Sequence, residues 1–219
     1  MKLLKLFITP ILIVSFLSNC LAQLNDSTTL QKGRYITSLF GNFRSQIADV
    51  DVGGINKRIR TTGYTIGTKS GFFIKNAWAL GLNFSIEKEE YSNIDVYAST
   101  EELVAGLWTR WYFIRAGQGA LYSDLTAFYT AINRPLIINS SFAFHEELDG
   151  KGFGFEPGIG FAYVINRNVG FGMSVSYRFS KVYADRTDVL QNIRNAEIIN
   201  TRQLQFNFNF QVYLDQFFF

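Results

Sequence analysis

Residues 201–219 constrain the fold more than any other stretch of the chain. Leu204, Phe206, Phe208, Phe210, Val212 and Leu214 recur in steps of two, with Gln203, Gln205, Asn207, Asn209, Gln211 and Tyr213 between them. Successive side chains of a strand point to opposite sides, so this is a strand with one apolar face and one amide face. A strand of a water-soluble sheet buries its apolar face and usually dresses the other with charge. Here the polar face carries uncharged amides, and the stretch closes on Phe217, Phe218 and Phe219. Lipid on one side and a polar lumen on the other account for both faces, as in a strand of a transmembrane β-barrel.

The 219 residues suit one domain of moderate size. The chain holds 22 Phe, 11 Tyr and 18 Gly. Aromatics, glycine and period-two alternation without long apolar runs fit a barrel better than a helical membrane protein.

One apolar run exists, at the start. Lys2 and Lys5 precede an apolar segment from Leu6 to Leu17, followed by Cys20-Leu21-Ala22 and Gln23. This is the pattern of a signal peptide cleaved after Ala22. The run is too short for a membrane anchor, which needs about 20 residues. Cys20 keeps a lipoprotein alternative open, against which stands Asn19 at the preceding position. Cleavage after Ala22 removes the one cysteine, and with it disulfides, thiolate metal sites and a cysteine nucleophile. It also leaves 19 Lys plus Arg against 18 Asp plus Glu, with no charge block, so no nucleic-acid partner is expected. The expected division is signal peptide 1–22, periplasmic lead-in 23–33 and barrel 34–219.

Alternation marks eight strands, near 34–46, 58–73, 77–91, 100–115, 120–131, 151–165, 169–183 and 201–219. Tight turns fall at 74–76, 116–119 and 166–168. Longer polar loops are expected at 47–57, 92–99, 132–150 and 184–200. Short periplasmic turns and longer outer loops are the barrel rule, so both chain ends lie in the periplasm. Open sheet edges cannot stay unpaired in lipid, so the first strand closes onto the eighth. The predicted architecture is all-β: an eight-stranded antiparallel up-and-down transmembrane barrel. Tyr35, Phe72, Phe73, Trp78, Trp111, Phe113, Tyr163 and 217–219 form an aromatic girdle at the periplasmic rim. Pro157 lacks a ladder donor, so a bulge or kink is expected there.

The candidate site is the lumen, where the alternation places a set of charges. With the turns centred on Gly117 and Arg167, Arg110 faces Asp124 and Glu156 faces Arg178. Cross-strand neighbours sit within about 5 Å, so each couple is expected to form a charge-assisted bond. Arg44, Glu87 and Glu102 join the outer half, and Arg34 and Lys69 the inner half. A polar plug that satisfies itself and a narrow ion path are both compatible with these charges. His145 is the one histidine, beside Glu146 and Glu147 and downstream of Ser140 and Ser141. It falls in an expected loop, away from the lipid face, so neither a lipid-modifying triad nor a metal site is favoured. No catalytic residue, cofactor or metal is assigned.

The signal ending in Leu21-Ala22-Gln23, the eight alternating strands and the terminal aromatic strand ending in Phe219 resemble the small OmpA/OmpX-like outer-membrane barrels. The likeness covers about residues 33–219 and looks closest to the outer-membrane β-barrel domain proteins of the Bacteroidetes type. It implies a place in the cell outer membrane among lipid and lipopolysaccharide. It also implies that the barrel-assembly machinery reads Phe219 as its signal. That family includes structural, adhesive and transport-linked members. The expected role is therefore structural or surface-interacting, with an extracellular ligand met by the loops. The alternatives are a narrow porin-like channel or transport accessory, then a lipid A-modifying enzyme.

Overall fold

The computed structural model describes residues 28–52, 55–92, 96–138, 144–188 and 193–215. The signal segment, the first part of the lead-in and Phe219 lie outside these residues. Eight antiparallel strands follow one short 3-10 turn at Thr28–Leu30. They are β1 (Tyr35–Val52), β2 (Ile55–Lys75), β3 (Trp78–Ser92), β4 (Val96–Ala116), β5 (Gly119–Ile138), β6 (Phe144–Asn166), β7 (Val169–Asp188) and β8 (Ile193–Leu214). Each pairs with its sequence neighbours, and β1 closes onto β8.

The ladders fix the geometry of the wall. From Leu39 the pairs run through Thr68, Phe84, Ala105, Tyr129, Phe153 and Lys181 to Asn200 of β8. Leu39 itself pairs with Phe210, and that offset is the shear of the barrel. Eight strands with this shear tilt by about 40° and enclose a radius of about 8 Å. Outward apolar side chains run from Trp78 to Ile86 on β3 and from Phe153 to Tyr163 on β6. At that tilt they cover a belt roughly 21–26 Å tall, which matches the apolar band of a membrane barrel.

The three tight turns, at 76–77, 117–118 and 167–168, share one device. In each hairpin the register slips once close to the turn: at Ile74, Phe113 and Ile165. Each slip is a single-residue bulge, which adds local twist. The slip at Phe113 also sets the chemistry above it. Ala116 pairs with Gly119, and in that register Arg110 would face Leu125; past the bulge Arg110 pairs with Asp124.

Three expectations are corrected. The four long polar stretches are mostly strand: β1 reaches Val52, β5 reaches Ile138 and β6 begins at Phe144. Their polarity marks strands that have left the belt, where the outward face meets water while Ile132, Leu148 and Ala184 still point into the barrel, and not irregular loops. Pro157 causes no register shift: the β6–β7 ladder skips Glu156 and Pro157 and resumes with Gly158 opposite Ser176. Phe73 is not in the girdle. It is fully buried inside the barrel, while Phe72, Trp78, Trp111, Phe113 and Tyr163 do face outward.

The inward glycines of β6 make room for rings. A Cβ on Gly160 would lie 2.4 Å from the Tyr122 ring. One on Gly154 would lie 2.4 Å from the Phe128 ring and 2.4 Å from the Phe179 carbonyl oxygen. Because backbone blocks the second site, Gly154→Ala is expected to cost about 1–3 kcal/mol through overpacking. Urea unfolding of the refolded variant checks this; an unchanged midpoint would mean that the ring and strand move aside freely.

Candidate functional site

The lumen is built in layers. At the mouth that carries the three tight turns, the Thr28–Leu30 turn tucks Leu30 under the barrel, where it is buried. The Leu30 carbonyl accepts from the Ala77 N–H at 2.8 Å, and the Ala77 carbonyl accepts from Tyr112 N–H at 2.8 Å. These two bonds hold Ala77 at a positive φ of 65° in the β2–β3 turn. Arg34 ties the rim together. Its Nε lies 2.8 Å from Asp215 Oδ1, and its Nη1 donates to the Arg167 carbonyl at 3.0 Å.

Above the mouth lies an aromatic layer. Phe73, Tyr112, Tyr122 and Tyr213 converge from four strands, with Ile36, Ala79, Ala120 and Ala162 filling between them. Phe73 and Tyr213 stack at 6.4 Å, and Tyr112 meets Tyr122 edge-on at 5.5 Å. All four rings are at most 2% exposed. The rings pack together in the interior, which eight strands make just wide enough for side chains to fill.

The third layer carries charge. Arg110 grips Asp124 with two prongs, Nε to Oδ1 at 2.7 Å and Nη2 to Oδ2 at 2.8 Å. Lys69 Nζ reaches the same Oδ2 at 3.4 Å. Two cations thus share one carboxylate. Aromatic faces meet the surplus positive charge: Arg110 lies 3.9 Å from the Tyr122 ring centre, and Lys69 lies 5.5 Å from that of Phe40.

The amides of β8 link the layers. Gln211 Oε1 accepts from the Tyr213 hydroxyl, and Gln211 Nε2 donates to Asn209 Oδ1. Asn209 Nδ2 donates to the Tyr122 hydroxyl at 3.3 Å, and Asn207 Nδ2 to Ser176 Oγ at 3.2 Å. An amide both donates and accepts, so a row of them makes a continuous network that a row of like charges could not.

The fourth layer centres on Arg178 at the outer edge of the belt. Its Nη1 lies 2.9 Å from Glu87 Oε2, its Nη2 lies 2.6 Å from Glu102 Oε1, and the guanidinium sits 4.6 Å from the Phe128 ring centre. Thr130 Oγ1 also donates to Glu102. Here the sequence expectation is corrected. The register sets Arg178 opposite Glu156, yet Arg178 reaches across to β3 and β4, and Glu156 has no ion-pair partner among the described residues. In so narrow a lumen the far wall is as reachable as the next strand, and two carboxylates hold the guanidinium against one. Higher still, Ile132, Leu148, Val182 and Ala184 form a second apolar cluster with Ile199.

The expected inward charges therefore separate into three groups. Arg110, Asp124 and Lys69 meet at mid-depth; Arg178, Glu87 and Glu102 meet near the far edge of the belt; Arg34 binds the rim at the tight turns. Arg44 holds a β1 position opposite Gly63, but its side chain lies outside the described residues. His145 pairs with Ile137 on strand β6 and not in a loop, and its side chain too lies outside them. Sequence reasoning missed the aromatic layer. The signal was present, since Tyr122 shares a face with Asp124 and strict alternation from Lys69 carries Phe73 inward.

A closed antiparallel barrel with an apolar belt of bilayer height is a membrane-spanning barrel of the outer-membrane type, and the chain is a protein of the cell outer membrane. Among solved structures it is similar to the outer membrane protein OprG from Pseudomonas aeruginosa, at 15% identity and a TM-score of 0.61, covering 86% of this chain and 99% of that one. A major outer membrane protein from Thermus thermophilus matches at 6% identity and a TM-score of 0.49, over 83% of this chain and 99% of that one. The outer membrane protein AlkL matches at 12% identity and a TM-score of 0.45, over 87% and 93%. At such identities the likeness to OprG shows the fold alone. No protein-family model and no curated protein matches the chain.

Proposed function

We propose that this is a sealed barrel, neither a pore nor a catalyst, which serves the outer membrane as a structural or surface-interaction protein from its outer end. The observation that carries the reading is the aromatic layer: Phe73, Tyr112, Tyr122 and Tyr213 fill the bore, with Leu30 packed beneath them. What remains to act is the outer collar. There β5 to β8 run well past the belt and carry polar side chains and ion pairs, Arg186–Glu197 at 2.8 Å among them. A rigid strand scaffold that presents polar side chains to the medium suits contact with an extracellular ligand. Insertion by the barrel-assembly machinery through Phe219, and membership among OmpA/OmpX-like barrels of the Bacteroidetes type, belong to the same proposal.

A second reading, a transport accessory, draws on one observation. Among the described residues β1 and β8 pair only from Tyr35–Leu214 to Gly41–Phe208, although both strands continue beyond. Efflux of small sugars from liposomes holding the refolded protein separates the two. The wild type is expected to hold its solutes, and Tyr112→Ala/Tyr213→Ala to leak them. Leakage by the wild type would give transport first place.

A further inference from the structure

We propose that the outer face of β6–β8 is a binding site for the phosphate of an outer-leaflet lipid. The inference rests on the membrane-spanning belt. Lys151, Lys181 and Arg202 project outward from three successive strands, and all three are exposed. The ladder makes them diagonal neighbours: Phe153 pairs with Lys181 while Lys151 pairs with Tyr183, and Phe179 pairs with Arg202 while Lys181 pairs with Asn200. Diagonal neighbours stand about 7–8 Å apart. With the strands tilted by about 40°, the three cations lie in one row parallel to the membrane plane.

That row sits where the belt ends. Immediately below it come Phe153, Phe155 and Phe179, the last two stacked at 4.7 Å. A groove of about 460 Å³ runs between these rings and the Lys181 and Arg202 side chains. An acyl chain laid on the rings would carry its phosphate to the height of the cations.

The cations also lack anions. None of the three has a carboxylate partner among the described residues; Lys181 has the Tyr183 ring at 5.2 Å. The nearby acids are occupied or displaced. Asp185 pairs with Arg194, and Asp149, one outward step above Lys151, accepts from Asn133 at 2.8 Å. The opposite wall differs: Lys88 is neutralised by Glu90 at 3.6 Å and Glu101 at 3.9 Å. Positive charge with no carboxylate in contact on one side of the rim is therefore matched to an anion held in the leaflet, and the apolar ledge beneath it to that anion's tail.

The test uses the full refolded barrel in phosphatidylcholine nanodiscs, titrated with bisphosphorylated lipid A and read by native mass spectrometry. Each basic side chain at a lipid surface contributes about fivefold, so Lys151→Gln/Lys181→Gln/Arg202→Gln is expected to lose about a hundredfold in apparent affinity and each single variant about fivefold. Lys88→Gln is expected to bind as the wild type does, and dephosphorylated lipid A is expected to bind no better to the wild type than to the triple variant. The single variants carry the test if the triple variant refolds poorly. Undiminished binding by the variants, or equal binding of the dephosphorylated lipid, would overturn the proposal. Displacement of lipid A by inorganic phosphate at equal concentration would also overturn it, since that is the behaviour of a soluble-anion site.

Discussion

Arg110→Ala is expected to destabilise the barrel by about 3–5 kcal/mol, the cost of leaving one member of a buried pair behind. Both prongs of the contact with Asp124 disappear, and Asp124 keeps only Lys69 at 3.4 Å. The Tyr122 ring loses the guanidinium that covers it at 3.9 Å, so the aromatic layer below is loosened as well. Arg110→Lys should recover only part of the loss, because an ammonium keeps the charge but cannot grip both carboxylate oxygens at once. Urea-driven unfolding in detergent, followed by tryptophan fluorescence, measures the series. Trp108, 5.4 Å from Arg110, provides a local reporter. An unchanged midpoint for Arg110→Ala would remove the pair from the account of stability.

Arg178→Ala is expected to cost about 3 kcal/mol, while Glu156→Gln is expected to change stability by less than about 0.5 kcal/mol. The contrast is the informative part. Strand register alone couples these two residues, and on that basis both substitutions would cost the same. The side chains instead join Arg178 to Glu87 and Glu102 across the lumen and leave Glu156 out. Equal losses from the two variants would restore the cross-strand pair. The same urea titration decides it.

These two cases show how far the sequence could be read. Period-two alternation survives most local errors, so the eight strands, the outward belt and most of the inward set were legible, Phe73 being the exception. Register was legible only in part. The Arg110–Asp124 pairing follows from a turn centred on Gly117, but the turn lies between Gly117 and Gln118, and the bulge at Phe113 brings the two residues opposite each other. A bulge leaves no clear mark in a single sequence. Contacts across the lumen were not legible at all, because they depend on shear, which no single hairpin encodes; hence the misassigned partner of Arg178. The outer strand ends were lost for another reason. Beyond the belt the outward face is no longer apolar, so stretches such as 132–150 read as loops although Ile132 and Leu148 are buried inside the barrel. The aromatic layer was hidden by habit of pattern: Phe72-Phe73 looks like a girdle pair, although one ring points to lipid and the other into the barrel.

The central claim is that the lumen is sealed by packed rings above Leu30. Its most direct test is the electrical conductance of the refolded wild-type protein in a planar bilayer, recorded at both polarities. The account predicts no steady conductance above that of the protein-free bilayer. A stable, reproducible open level in the wild type would contradict it, and would mean that Phe73, Tyr112, Tyr122 and Tyr213 line a path and do not close one.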